Sequence, residues 1–96
     1  MHAVIRSYSG AGAAELAELL SESREEAESI LRPITGFVSW TLIHTDGGCD
    51  TVTVCQDKAG TDESMQVART WIMENAADLS VAPPSVTEGS VSIHLN

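Results

Sequence analysis

Apolar and polar positions follow two different periods along the 96-residue chain, short alternating runs separated by two longer helical stretches. His2–Tyr8 is a short apolar run closed by Ser9-Gly10-Ala11-Gly12, a composition that suits a turn. From Ala13 the period changes: Leu16, Leu19, Leu20, Ala27, Ile30, Leu31 and Ile34 recur at helical spacing. Glu15, Glu18, Glu22, Glu25 and Glu26 take the other side, and Pro33 and Gly36 mark the end. Phe37–His44 is rich in β-branched and aromatic residues, Thr45-Asp46-Gly47-Gly48 supplies a turn, and Thr51–Gln56 returns as the hairpin partner. Thr61 or Asp62 is positioned to cap a second helix with the apolar stripe Met65, Ala68, Trp71, Ile72, Ala76 and Leu79. Ser80–Glu88, with Pro83-Pro84, reads as a loop before Val91, Ile93 and Leu95 alternate in a last strand, Ser90–Leu95.

The sum is β-α-β-β-α-β, an α+β ferredoxin-like domain spanning residues 1–96. Right-handed crossovers give an antiparallel sheet of spatial order 4-1-3-2 with both helices on one face. Among the predicted strands Arg6 is the only formal charge. A sheet with one wet face should alternate apolar with strongly polar residues, and these strands do not. The face without helices is therefore expected to pack against a second copy of the chain.

Charge narrows the list of partners. Five Lys and Arg against 14 Asp and Glu leave a net charge of −9 and no basic stripe. Nucleic acid and anionic membrane surfaces are thereby disfavoured, because both need clustered cations to neutralise phosphate. No apolar run approaches the ~18 residues of a membrane span, and no basic-then-apolar leader opens the sequence. Cys49 and Cys55 flank one strand, too far apart along it for a disulfide, so free thiols and a cytoplasmic location are expected.

On these residues the chain resembles the dimeric α+β barrel superfamily, which includes antibiotic-biosynthesis-type monooxygenases. The resemblance is carried by the element order, by Gly36-Phe37 opening the second strand, and by Val54-Cys55-Gln56-Asp57 leading through Ala59-Gly60 into a helix. The chain is also similar to small bacterial proteins sharing Asp57-Lys58-Ala59-Gly60-Thr61-Asp62-Glu63-Ser64 and Trp71-Ile72-x-Glu74-Asn75. The resemblance implies two sheets packed face to face in a homodimer. It implies further a cofactor-independent oxygenase-like activity, or a binding role, directed at a small aromatic or polyketide-like ligand. Haem-degrading members place an Asn on the first strand and a Trp and a His on the second helical region. Here Trp71 is present, but the first strand offers Arg6 and Tyr8, and no His lies between Trp71 and the last strand.

Arg6 is the sharpest candidate for a site, since a guanidinium keeps its charge and a buried one needs an anion, carbonyls or water. Its alternative role is a structural ion pair, with Asp57, Glu88 or a second subunit as partner. Tyr8 shares its face and offers a phenol that orients a ligand or moves a proton. His44 offers an imidazole, or is simply an exposed hairpin residue. Trp40 and Trp71 are expected to wall a pocket, with core packing as the other reading. His2 and His94 come together at the sheet end in this register, but no third ligand joins them, so no metal site is expected. The Gly10-Ala11-Gly12 turn lacks the third glycine of a phosphate loop, with Glu15 in its place. No cofactor is called for. Two functions remain, an oxygenase-like enzyme using Arg6, Tyr8 and His44, and a non-catalytic dimeric binding or accessory module.

Overall fold

In the computed structural model, which describes residues 1–96, the first strand becomes the centre of the sheet. β1 (His2–Tyr8) lies between the third strand, Gly48–Cys55, and the fourth, Ser85–Ser90. These are β3 and β4; β2 (Phe37–Thr45) is the edge beyond β3, so the order is β2-β3-β1-β4 with every pairing antiparallel. The helices are α1 (Ala13–Glu22), α2 (Arg24–Leu31) and α3 (Lys58–Asn75), with a 3-10 turn at Ala77–Leu79. This is the α+β ferredoxin-like arrangement and strand order expected from the sequence.

Four local differences have physical causes. The first helical stretch breaks at Ser23, whose hydroxyl donates back to the Leu19 carbonyl at 2.7 Å and competes with the helical ladder. The hairpin is tighter than expected, since Thr45 pairs with Gly48 across a two-residue Asp46-Gly47 loop. The cap of α3 is Asp57, whose carboxylate accepts from the Gly60 N–H at 3.1 Å, while Thr61 is buried instead of capping. The fourth strand is Ser85–Ser90 and not Ser90–Leu95, because β1 begins at His2, directly opposite Ser90. After the Val91 N–H donates to the Met1 carbonyl at 2.9 Å, no strand remains for the tail to pair with. His94 consequently lies beyond the ladder and does not meet His2.

These shifts also amend the charge count. The observed strands contain Asp50 and Glu88 as well as Arg6. The register sorts them by face. His2, Val4, Arg6 and Tyr8 stand with Cys49, Thr51, Thr53 and Cys55 beneath the helices. There Leu16, Ala13, Ala17 and Ala76 close over Tyr8 and Cys49, and Leu31 and Ile34 close over Cys55. The other face is built from rows that include Thr41-Val52-Ile5-Thr87 and Ile43-Asp50-Ser7-Ser85. Asp50 is its single charge, and no helix covers it.

Gly60 explains the glycine in the Ala59-Gly60 motif. A Cβ there would stand 2.7 Å from Cys55 Cβ and 3.1 Å from the Thr35 carbonyl, where α3 is pressed onto the end of β3. Helix propensity alone favours alanine over glycine by about 1 kcal/mol. Crowding in a packed interior costs roughly 1–3 kcal/mol and should win. Gly60→Ala is therefore expected to lower the thermal midpoint by several degrees, read by circular dichroism. A raised midpoint would show that the contact is relieved freely.

Candidate functional site

Alternation along β1 places Arg6 on the helix-covered face, in the row Thr51-Arg6-Val86. The residue is only 8% exposed. Its Nε donates a long bond of 3.4 Å to Thr51 Oγ1, and its guanidinium carbon stands 5.7 Å from the centroid of the Tyr8 ring. No carboxylate pairs with it. Of the two acids that the sequence offered, Asp57 caps α3, and Glu88 is taken by His2 at 3.0 Å and Lys58 at 3.7 Å. Burial pulls the Arg6 pKa down, the Tyr8 side chain opposes that, and the charge of Arg69 adds to the lowering. An arginine nevertheless retains its proton at neutral pH.

Arg6 lies on the wall between two hollows. One, of about 360 Å³, is bounded by Arg6, Tyr8, Arg69, Ile72, Val81 and Val86 under the loop that leads into β4. The other is a slot of about 30 Å³ between the sheet and α2–α3, where Arg6 meets Trp40 and Trp71. A separate outer groove of about 450 Å³ runs between α1–α2 and the β2 edge, with Trp40 again on its wall. The structure thus brings Arg6 and Tyr8 to one cavity and Arg6, Trp40 and Trp71 to another.

Tyr8 is nearly buried, and burial pushes its phenol pKa up more than Arg6 and Arg69 push it down. At neutral pH it is a hydrogen-bond donor and not a base. Trp71 donates its indole N–H to Glu26 at 2.8 Å and so ties α3 to α2. His44 is placed elsewhere: it is exposed near the hairpin end of β2, with Nε2 at 2.6 Å from Ser21 Oγ, and lines neither hollow beside Arg6. Cys49 and Cys55 are free, buried thiols whose pKa values burial raises, which makes them packing groups and poor nucleophiles.

Arg69 is the residue that sequence reasoning missed. It lies four residues after Met65 and three before Ile72, on the flank of the apolar stripe of α3, and that spacing was the available signal.

No family model matches the chain, and no curated protein matches it. Solved structures do. The NE2512 protein of unknown function from Nitrosomonas europaea superposes with a TM-score of 0.69 at 17% identity, covering 99% of this chain and 91% of its own. MhuD, a heme-degrader from Mycobacterium tuberculosis with two hemes bound in its active site, gives 0.69 at 18% identity, covering 100% of both chains. The ActVA-Orf6 monooxygenase of Streptomyces coelicolor, in complex with nanaomycin D, gives 0.64 at 17% identity, covering 99% of this chain and 89% of its own.

A haem finds a poor fit here, since neither hollow beside Arg6 presents an imidazole or a thiolate to an iron. No helix is long and apolar enough to cross a membrane. With its element order, strand order and superposition over nearly the whole chain, the protein has the α+β ferredoxin-like fold shared by these solved structures.

Proposed function

We propose that the protein binds a small aromatic or polyketide-like molecule in the cavity beside Arg6 and acts on it as a cofactor-independent, monooxygenase-like enzyme. The observation that carries this reading is a buried, carboxylate-free Arg6 opening on a cavity of about 360 Å³. That volume falls within the ~300–1,000 Å³ of ordinary ligand pockets. A cation shielded from water holds a ligand oxygen anion more strongly than one in bulk solvent. Arg6 would hold the ligand oxygen anion and Tyr8 would donate a hydrogen bond to it, while Trp40 and Trp71 line the narrow slot on the other side of Arg6. In the reaction a ring methylene becomes a ketone. Dioxygen delivers one atom to the product and leaves the other as water, and the substrate supplies all four electrons.

A second reading, a non-catalytic binding module, is favoured by one observation. No base lines the cavity, since Tyr8 stays protonated and His44 lies outside it. Both readings use the same ligand site, and both are expected in a homodimer formed through the helix-free face of the sheet.

Calorimetric titration with nanaomycin D tests the binding, and dissolved-oxygen consumption with a dihydroxyanthrone tests the chemistry. Saturable binding of one ligand per chain with oxygen uptake supports the enzyme. Binding without uptake selects the module, and no binding at millimolar ligand overturns both.

A further inference from the structure

Three of the five basic side chains in this acidic chain are accounted for by carboxylates: Arg24 and Arg32 by Glu28, and Lys58 by Asp62 and Glu88. The two that make no ion pair, Arg6 and Arg69, open on the same cavity of about 360 Å³. None of the 14 acidic residues lines it. Arg6 comes from the centre of the sheet and Arg69 from α3, which crosses above. Their like charges disfavour each other, and Tyr8 senses both. Two guanidinium groups facing one apolar space repel each other unless an anion sits between them.

Resting on the ligand site proposed above, we infer that Arg6 and Arg69 form an anion clamp and that the ligand is an aromatic or polyketide-like carboxylate. Its carboxylate bridges the two guanidinium groups, whose planar forks match its geometry. The ring system lies against Met65, Ile72, Val81 and Val86. A carboxylate fits better than a phosphate. Arg69 stands in the interior of α3, Lys58–Asn75, where backbone N–H groups are engaged in the helix and none is free to cradle phosphate oxygens. The Tyr8 hydroxyl is the further donor on the wall.

The test is a calorimetric titration of the wild type and Arg69→Met with three probes: anthraquinone-2-carboxylate, its neutral primary amide and inorganic phosphate. Arg69 is exposed on its helix, so the variant is expected to fold, and its thermal midpoint verifies that. The wild type is expected to prefer the carboxylate over the amide by at least tenfold. In Arg69→Met that preference should shrink to within about threefold, and raising salt should weaken the carboxylate and not the neutral amide. Equal binding of carboxylate and amide by the wild type overturns the clamp while leaving the ligand cavity standing. Tighter binding of phosphate than of the carboxylate overturns the carboxylate assignment. Failure of every probe on the wild type overturns the clamp together with the ligand site beneath it.

Discussion

Arg6→Met is expected to make the protein more stable and, in the same stroke, to cost it most of its affinity for an anionic ligand. The native side chain keeps a charge in a site only 8% exposed, with one 3.4 Å hydrogen bond and one aromatic ring as compensation. Replacing buried ionic groups by apolar ones of similar volume is typically neutral or stabilising. The lost contacts count for roughly 1 kcal/mol, since the bond to Thr51 is long and a cation–π contact contributes ~0.5–1 kcal/mol. Removal of the desolvated charge should exceed that, for a net gain of about 1 kcal/mol. In a domain of this size it corresponds to a rise of ~4–8 °C in the thermal midpoint. Affinity for an aromatic carboxylate should fall at least tenfold, the usual signature of a site that trades stability for function. A variant that melts several degrees lower would mean that Arg6 is a structural group.

The helix-free face carries the second large effect. Ile5 and Ile43 are 37% and 45% exposed there, in rows whose remaining members are small or β-branched apart from Asp50. In a chain of net charge −9, keeping one face almost uncharged is what a buried interface requires. Beyond the strand, Ile93 and Leu95 of the tail are 78% and 88% exposed.

Light scattering is therefore expected to give twice the chain mass for the wild type and a single chain mass for Ile5→Lys. A two-fold interface presents the new charge twice, so dimer affinity should fall by two orders of magnitude or more. A monomeric wild type at micromolar concentration would remove the barrel. A dimeric Ile5→Lys variant would move the interface to another surface.

The strands β1 and β2 and their place in the sheet were readable because alternation and β-branched content agree there with what tertiary packing selects. The same rule misplaced β4. Val91, Ile93 and Leu95 alternate as a strand should, but a ladder needs a partner, and β1 ends at His2. Helix starts fared unevenly: Asp57 and Thr61 are both good capping residues, and it is Asp57 whose carboxylate accepts from the Gly60 N–H.

Arg6 stood out in the sequence because a lone charge on a strand is anomalous. Arg69 did not, since an arginine on a helix is ordinarily solvated. Beyond its place on the flank of the apolar stripe, what distinguishes it is the absence of any carboxylate paired with it, which exists only in three dimensions. The distance between His44 and the site is equally tertiary, set by which end of β2 approaches α1.

Side-chain NMR of the arginine Nε–H groups tests most directly the proposal that Arg6 is a ligand-binding cation. The chain has four arginines, Arg6, Arg24, Arg32 and Arg69, which single substitutions to methionine would assign. Addition of anthraquinone-2-carboxylate is expected to shift the Arg6 and Arg69 signals saturably and to slow exchange of the Arg6 proton with water. Arg24 and Arg32, already held by Glu28, should stay in place. Movement of the Arg24 and Arg32 signals with Arg6 unmoved would contradict the account.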